Sequence, residues 1–234
     1  MMGFKPGQDL IDRIRGKKER GIAGVQAYSQ DGEDVVLAAF YEAKPKYKGF
    51  YVDIGALHPL RFSNTQFFYE RGWKGINIDA TPGSMEEFKN LRPLDINIEA
   101  GITNSRGKMH YYMFKEPALN SFDEKISKER IDFGWELLAK KEIETFPINE
   151  ILERYLPGGQ KIDFINIDIE GLELQILESF DFSKYSPDYF LIEALDCCGK
   201  DFFSFYNSPV NCCLNRQNYF AVAKTQRTIV YGKM

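Results

Sequence analysis

Apolar residues in this chain fall into two alternating rhythms. Short buried runs at Phe50 to Ile54, Gly75 to Asp79, Phe164 to Ile167 and Tyr189 to Ile192, the last two apolar at nearly every position, alternate with stretches spaced for one helical face. Near-continuous apolar runs suit strands of a parallel sheet covered by helices on both sides. Helices are expected from Ser29 onward, with Val36, Ala39, Phe40 and Ala43 on one face, and over Asn64 to Arg71, Ser84 to Leu91 and Leu172 to Ser179. Ser29 suits an N-cap, with Asp31, Glu33 and Asp34 in the first turn, and Ser84 with Glu87 has the spacing of a capping box. The pattern is α/β and doubly wound.

Two regions depart from plain alternation. Asp95 to Thr103, the turn Asn104-Ser105-Arg106-Gly107 and Lys108 to Phe114 read as a strand and its hairpin partner, followed by a polar helical cover over Ser127 to Glu142. Asn218 to Lys224 and Thr228 to Tyr231 are short strands joined by three residues, so the sheet is expected to end in an antiparallel hairpin. Residues 1–24 stand apart: six Lys and Arg side chains, Lys5 to Arg20, face three acids, and glycines interrupt any long helix. They read as a basic arm or lid, with one domain over residues 25–234.

Composition supports a single large core, since 44% of the 234 residues are hydrophobic and 15% aromatic, which excludes wholesale disorder. A net charge of −4 gives the chain as a whole no footprint for nucleic acid. No stretch approaches the roughly 18 to 20 apolar residues of a bilayer span, and no apolar leader follows the first Met, so a cytoplasmic protein without a membrane span is expected. Cys197-Cys198 and Cys212-Cys213 lack the spacing of a zinc site and read as free thiols.

Candidate chemistry lies where strands end. Tyr51-Val52-Asp53-Ile54-Gly55-Ala56 is a buried strand closing on an acid and a tight turn, at the edge where doubly wound sheets bind small molecules. The glycine fingerprints of dinucleotide sites and P-loops are absent. Asp79 ends the next strand, 26 residues after Asp53, where an acid accepts ribose hydroxyls or caps the following helix. Asp168 and Glu170 end a third strand on one side of its tip. Two carboxylates there favour a shared proton, a cation or a raised pKa, and the bland alternative is a helix cap. Glu193 and Asp196, after the next strand, extend the acids into an oxygen-ligand set for Mg²⁺ together with Asp168. His58 follows the first strand and is a candidate base, whereas His110 falls in the hairpin and reads as structural.

Four segments in order, Tyr28-Ser29-Gln30-Asp31-Gly32-Glu33-Asp34, Tyr51 to Ala56, Ser63-Asn64-Thr65 with Phe68 to Gly75, and Ile165 to Glu173, resemble the FkbM family of S-adenosylmethionine-dependent methyltransferases. The resemblance runs from Tyr28 to Tyr231. It implies a class I methyltransferase (Rossmann-like) fold, seven mostly parallel strands with an antiparallel C-terminal hairpin. Asp53, Gly55, Ala56 and Asp79 match cofactor positions of that family, with Gln30 and Asn64 as candidates to assist, and Asp168, Glu170 and Gly171 match its D-x-E-G motif. Leu57-His58-Pro59 stands where further glycines often occur. The implied activity is O-methylation of a sugar or glycan-precursor hydroxyl, with Asp168, Glu170 or His58 taking the proton, with or without Mg²⁺. Two alternatives stay open: methylation of a non-sugar small molecule, and a non-catalytic nucleotide-binding or scaffold protein retaining the fold.

Overall fold

The computed structural model describes residues 25–44, 46–195 and 204–234. The basic arm, Asp196 and the Cys197-Cys198 pair lie outside the described residues. A seven-stranded sheet is formed by β1 (Phe50–Ile54), β2 (Lys74–Asp79), β3 (Ile96–Glu99), β7 (Phe164–Ile167), β8 (Tyr189–Glu193), β9 (Tyr219–Lys224) and β10 (Thr228–Lys233). Their order is β3-β2-β1-β7-β8-β10-β9. The first five are parallel, while β10 runs antiparallel to both β8 and β9, so the chain has the class I methyltransferase fold.

Alternation on the central strands divides the core. Val52, Ile54, Ile76, Ile78, Ile165 and Ile167 pack toward one layer, and Tyr51, Phe164 and Leu191 toward the other, where Leu37, Phe67, Phe68 and Trp73 meet them. The second layer is built by α1 (Glu33–Ala39) and α2 (Gln66–Tyr69). Neither expected serine cap forms: Gly32 precedes α1 while Ser29 bonds Asp34, and Ser84 makes no capping bond to α3 (Met85–Leu91).

The middle of the chain differs from its sequence reading. Asp95 to Thr103 is two strands, because β3 stays in the main sheet while β4 (Gly101–Thr103) enters a second, three-stranded one. The hairpin partner of β5 (Gly107–Phe114) is β6 (Leu137–Pro147), which lies between β4 and β5. The expected helix over Ser127 to Glu142 is therefore half right: α4 spans Glu124–Asp132, and the rest is strand. A strand with polar residues on both faces does not declare itself by alternation. The remaining helices are α5 (Ile148–Tyr155), α6 (Glu173–Ser179) and α7 (Pro209–Arg216).

Asp163 fastens the amino ends of three parallel strands. Its Oδ2 accepts from Phe50 N at 2.7 Å, its Oδ1 from Tyr47 Oη at 2.6 Å, and its backbone carbonyl from the amides of Asp188 and Tyr189. Burial, then the bond to Asp163, pushes the Tyr47 phenol up to about 12. Asp163→Ala strands the Phe50 amide in the core. It is expected to lower unfolding free energy by about 1–3 kcal/mol, read from urea denaturation, with Asp163→Asn costing less.

Candidate active site

The parallel order β2-β1-β7-β8 brings Asp79, Asp53, Asp168 and Glu193 to one edge of the sheet. Just beneath that edge a polar row crosses the strands, since Asn97, Asn77, Asp53 and Asn166 are register neighbours on β3, β2, β1 and β7. Asp53, 2% exposed, accepts from Asn166 Nδ2 at 2.9 Å and Thr65 Oγ1 at 2.8 Å, and Asn64 Nδ2 donates to Asn166 Oδ1. Burial raises the Asp53 pKa, and the two donors and the Arg92 charge oppose it. Arg92, 0% exposed, closes the row: its guanidinium donates to Gln66 Oε1, Thr65 Oγ1, Ser63 Oγ and the Pro59 carbonyl. The sequence reading missed Arg92, which stands at a helix end like an ordinary surface cation.

Gly55 turns the chain out of β1 at φ +83°, donating with Ala56 to the Ile78 carbonyl. A Cβ there would sit 1.7 Å from the Asp168 carbonyl oxygen, so the approach of the two turns needs glycine. Asp79 is held by amides, its Oδ2 accepting from Leu57 N at 3.0 Å and its Oδ1 from Thr81 N at 2.8 Å. Burial raises its pKa while these donors oppose the rise. Each oxygen keeps a second lone pair for a ligand hydroxyl.

Two adjoining clefts open on this edge. One, of about 460 Å³, has apolar walls of Ile78, Ala100, Ile102, Tyr111 and Phe122, with Asp79 on its lining. Asn120 Nδ2 and Tyr111 Oη both reach Thr81 Oγ1, at 3.1 Å. Tyr111, Asn120 and Phe122 belong to the inserted segment around the small sheet, and no sequence motif marked them. The other cleft brings together Gln30, Asp53, Gly55, Ala56, Asn64, Asp168, Glu170 and Glu193. Gly55, Leu57, Asp168 and Glu170 are common to both.

Carboxylate oxygens of Asp168, Glu170 and Glu193 lie within 4.8 Å of one another. Glu170, at φ +60°, forms an ion pair with Arg130 of α4, and its carbonyl accepts from Ser121 Oγ at 2.8 Å. Glu173 steadies the turn by accepting from the amides of Ile169 and Gly171. Glu193 Oε2 is buried without a hydrogen-bond partner among the described residues. Burial, then the charges of neighbouring acids, raises the pKa of Asp168 and Glu193 well above the usual carboxylate range, so the pair tends to hold a proton. Burial also raises Glu170, against the pull of Arg130.

His58 is not brought into this group. Its Nε2 lies 2.6 Å from Glu87 Oε2, its Nδ1 accepts from the amides of Leu60 and Arg61, and it lines neither cleft. Asp196 is outside the described residues, so of the expected metal set Asp168 and Glu193 are placed together, with Glu170 in the third position.

Acids whose folded pKa is raised keep protons that the unfolded chain has released. Their contribution to stability is thus full below about pH 4 and is lost as pH rises through the folded pKa. Glu193→Gln is expected to raise the melting temperature at pH 8, with the gain shrinking as pH falls toward the ordinary carboxylate range. Thermal melts across pH 4 to 8 check this, and a pH-independent difference would contradict it.

The sequence profile of the Methyltransferase FkbM domain matches residues 53–205. No curated protein sequence matches the chain. Solved structures with similar coordinates include the methyltransferase FkbM from Methylobacillus flagellatus KT, 14% identical with a TM-score of 0.43, aligned over 97% of this chain and 60% of that one. A methyltransferase from Geobacter sulfurreducens is 12% identical with a TM-score of 0.45, over 100% of this chain and 91% of that one. The 1,6-didemethyltoxoflavin-N1-methyltransferase of Burkholderia thailandensis is 11% identical with a TM-score of 0.42, over 97% and 86%. This chain thus spans less than two thirds of the Methylobacillus protein's length. With the profile matching more than half of its residues, the chain belongs to the FkbM methyltransferase family.

Proposed function

We propose that this protein transfers a methyl group from S-adenosylmethionine to a hydroxyl oxygen of a sugar or glycan precursor. The observation that carries the reading is the meeting of the two clefts at Gly55 and Asp168, an apolar chamber on one side and a carboxylate-lined one on the other. The residues suit the cofactor. Asp79 has acceptor capacity for ribose hydroxyls, Tyr111, Phe122 and Ala100 form flat apolar walls for adenine, and the Gly55 turn leaves space that a side chain would fill. Asp53, Gln30 and Asn64 line the second cleft and suit the polar amino-acid end.

When bound, the cofactor supplies a methyl group already activated on a sulfonium. The protein then has to align the acceptor oxygen and take its proton as the new bond forms. Asp168 and Glu193 suit that task, because a carboxylate with a raised pKa is a stronger base and an acid pair sharing one proton keeps one member ionised. Glu170 orders the turn through Arg130 and adds negative potential. The carboxylates of Asp168, Glu170 and Glu193 suit a polyol more than an apolar acceptor. A divalent cation is the second reading, favoured by the oxygen-only cluster of Asp168, Glu170 and Glu193, and it requires Glu170 to leave Arg130.

Calorimetry with S-adenosylhomocysteine is expected to show binding that Asp79→Ala weakens about 10- to 100-fold. Absence of binding to the unaltered protein would favour the non-catalytic alternative. Asp168→Asn is expected to lower methyl transfer to an accepted glycan by about 10²- to 10⁴-fold while leaving cofactor affinity nearly unchanged. Activity that survives EDTA supports the acid pair acting alone, and activity lost to EDTA and restored by Mg²⁺ supports the cation.

A further inference from the structure

The amino ends of the strands, opposite the acid-bearing edge, carry a third concavity of about 960 Å³. Tyr41, Phe67, Phe68 and Trp73 form its floor, and Lys44, Lys46, Lys48 and Arg71 stand exposed around it. No carboxylate of the described residues pairs with any of the four cations within 4.0 Å. Two of them lean on rings instead, Lys44 at 5.5 Å from the Tyr47 centroid and Arg71 at 3.3 Å from that of Phe67. Glu42 is the one acid on the lining. Apolar groups share the rim: Val25 is 60% exposed and Tyr47 38%.

We propose that this face docks on an anionic phospholipid surface. Cations set apart along Lys44-Pro45-Lys46-Tyr47-Lys48 meet several separate charges better than one compact anion does. Aromatic and aliphatic side chains among them suit the headgroup level of a bilayer, where rings with one wet edge settle. The length and charge of the chain beyond the described residues point the same way. Residues 1–24 join the fold at Val25, on the lining of this concavity, and carry six further Lys and Arg against three acids, with apolar Leu10, Ile11 and Ile14 among them. A protein of net charge −4 with this local cluster of cations at one end of the sheet is oriented by a negative surface.

The test is co-sedimentation of the full chain with vesicles of phosphatidylcholine alone and of phosphatidylcholine with about 30 mol% phosphatidylglycerol. The protein is expected to pellet with the anionic vesicles only, and to be released as salt rises from about 0.15 M to 1 M. The variant Lys44→Glu/Lys46→Glu/Lys48→Glu/Arg71→Glu is expected to bind at least about tenfold more weakly, with Lys46→Ala/Lys48→Ala intermediate and both melting as the unaltered protein does. Equal pelleting with both vesicles, or charge-reversed protein that binds like the original, overturns the proposal. So does tighter binding of single-stranded RNA than of anionic vesicles at the same salt, which would make the partner a nucleic acid. None of these readouts depends on methyl transfer.

Discussion

Negative charge buried along a sheet edge has to be met by donors, and Arg92 together with the polar row beneath the edge supplies much of that compensation. Asn97, Asn77, Asp53 and Asn166 sit where apolar residues would otherwise continue the core. Asn77 Nδ2 reaches Asp95 and Asn97, Asn166 reaches Asp53, and the Arg92 guanidinium draws in Thr65, Ser63, Gln66 and the Pro59 carbonyl. A buried cation satisfied by neutral acceptors, with Asp53 one hydroxyl away through Thr65, ties the loop after β1 to the sheet. The Gly55 turn and the loop after β1 therefore inherit their position from a charge network far apart in sequence.

Compensation is uneven, and it is weakest at the two acids to which the proposed proton transfer is assigned. Asp53 has Thr65 and Asn166, Asp79 has two amides, and Glu170 has Arg130. Asp168 and Glu193 face each other with little beyond a proton to relieve them, and Glu193 Oε2 has no donor among the described residues. Repulsion that would be lost stability elsewhere would, in the proposed reaction, serve as basicity at the point where the two clefts meet. The inserted sheet and α4 take part, since Arg130 and Ser121 clasp the turn that presents Asp168, while Tyr111 and Phe122 wall the neighbouring chamber. One insertion thus builds the apolar chamber and orders the acids.

Legibility followed burial. The strands of the main sheet declared themselves because both faces are covered, so Phe164 to Ile167 and Tyr189 to Ile192 carry almost no polar position. Asp53, Asp79 and Asp168 stood out as acids closing such runs. β6 was opaque for the opposite reason: in Leu137–Pro147 most side chains are exposed or half-buried, so Lys140, Lys141, Glu142 and Glu144 blur the alternation. Arg92 was opaque because its partners lie 26 to 33 residues away on another loop. His58 was misleading, since proximity in sequence to the Gly55 turn says nothing of the Glu87 carboxylate that engages its Nε2.

The sheet is also polarised end to end. Parallel strands put every carboxyl terminus at one edge and every amino terminus at the other, so acids that close strands and lysines that precede them segregate by topology alone. Asp163 shows what happens when an acid falls at the amino end. It is consumed internally by Phe50 N, Tyr47 and the fold's own backbone, and leaves Lys44, Lys46 and Lys48 unopposed. In the docking proposed above, the basic end faces the anionic surface and the acid-lined clefts face solution. The proposed acceptor would then approach from the aqueous side, where Asp168 and Glu193 lie at the carboxyl edge of the sheet.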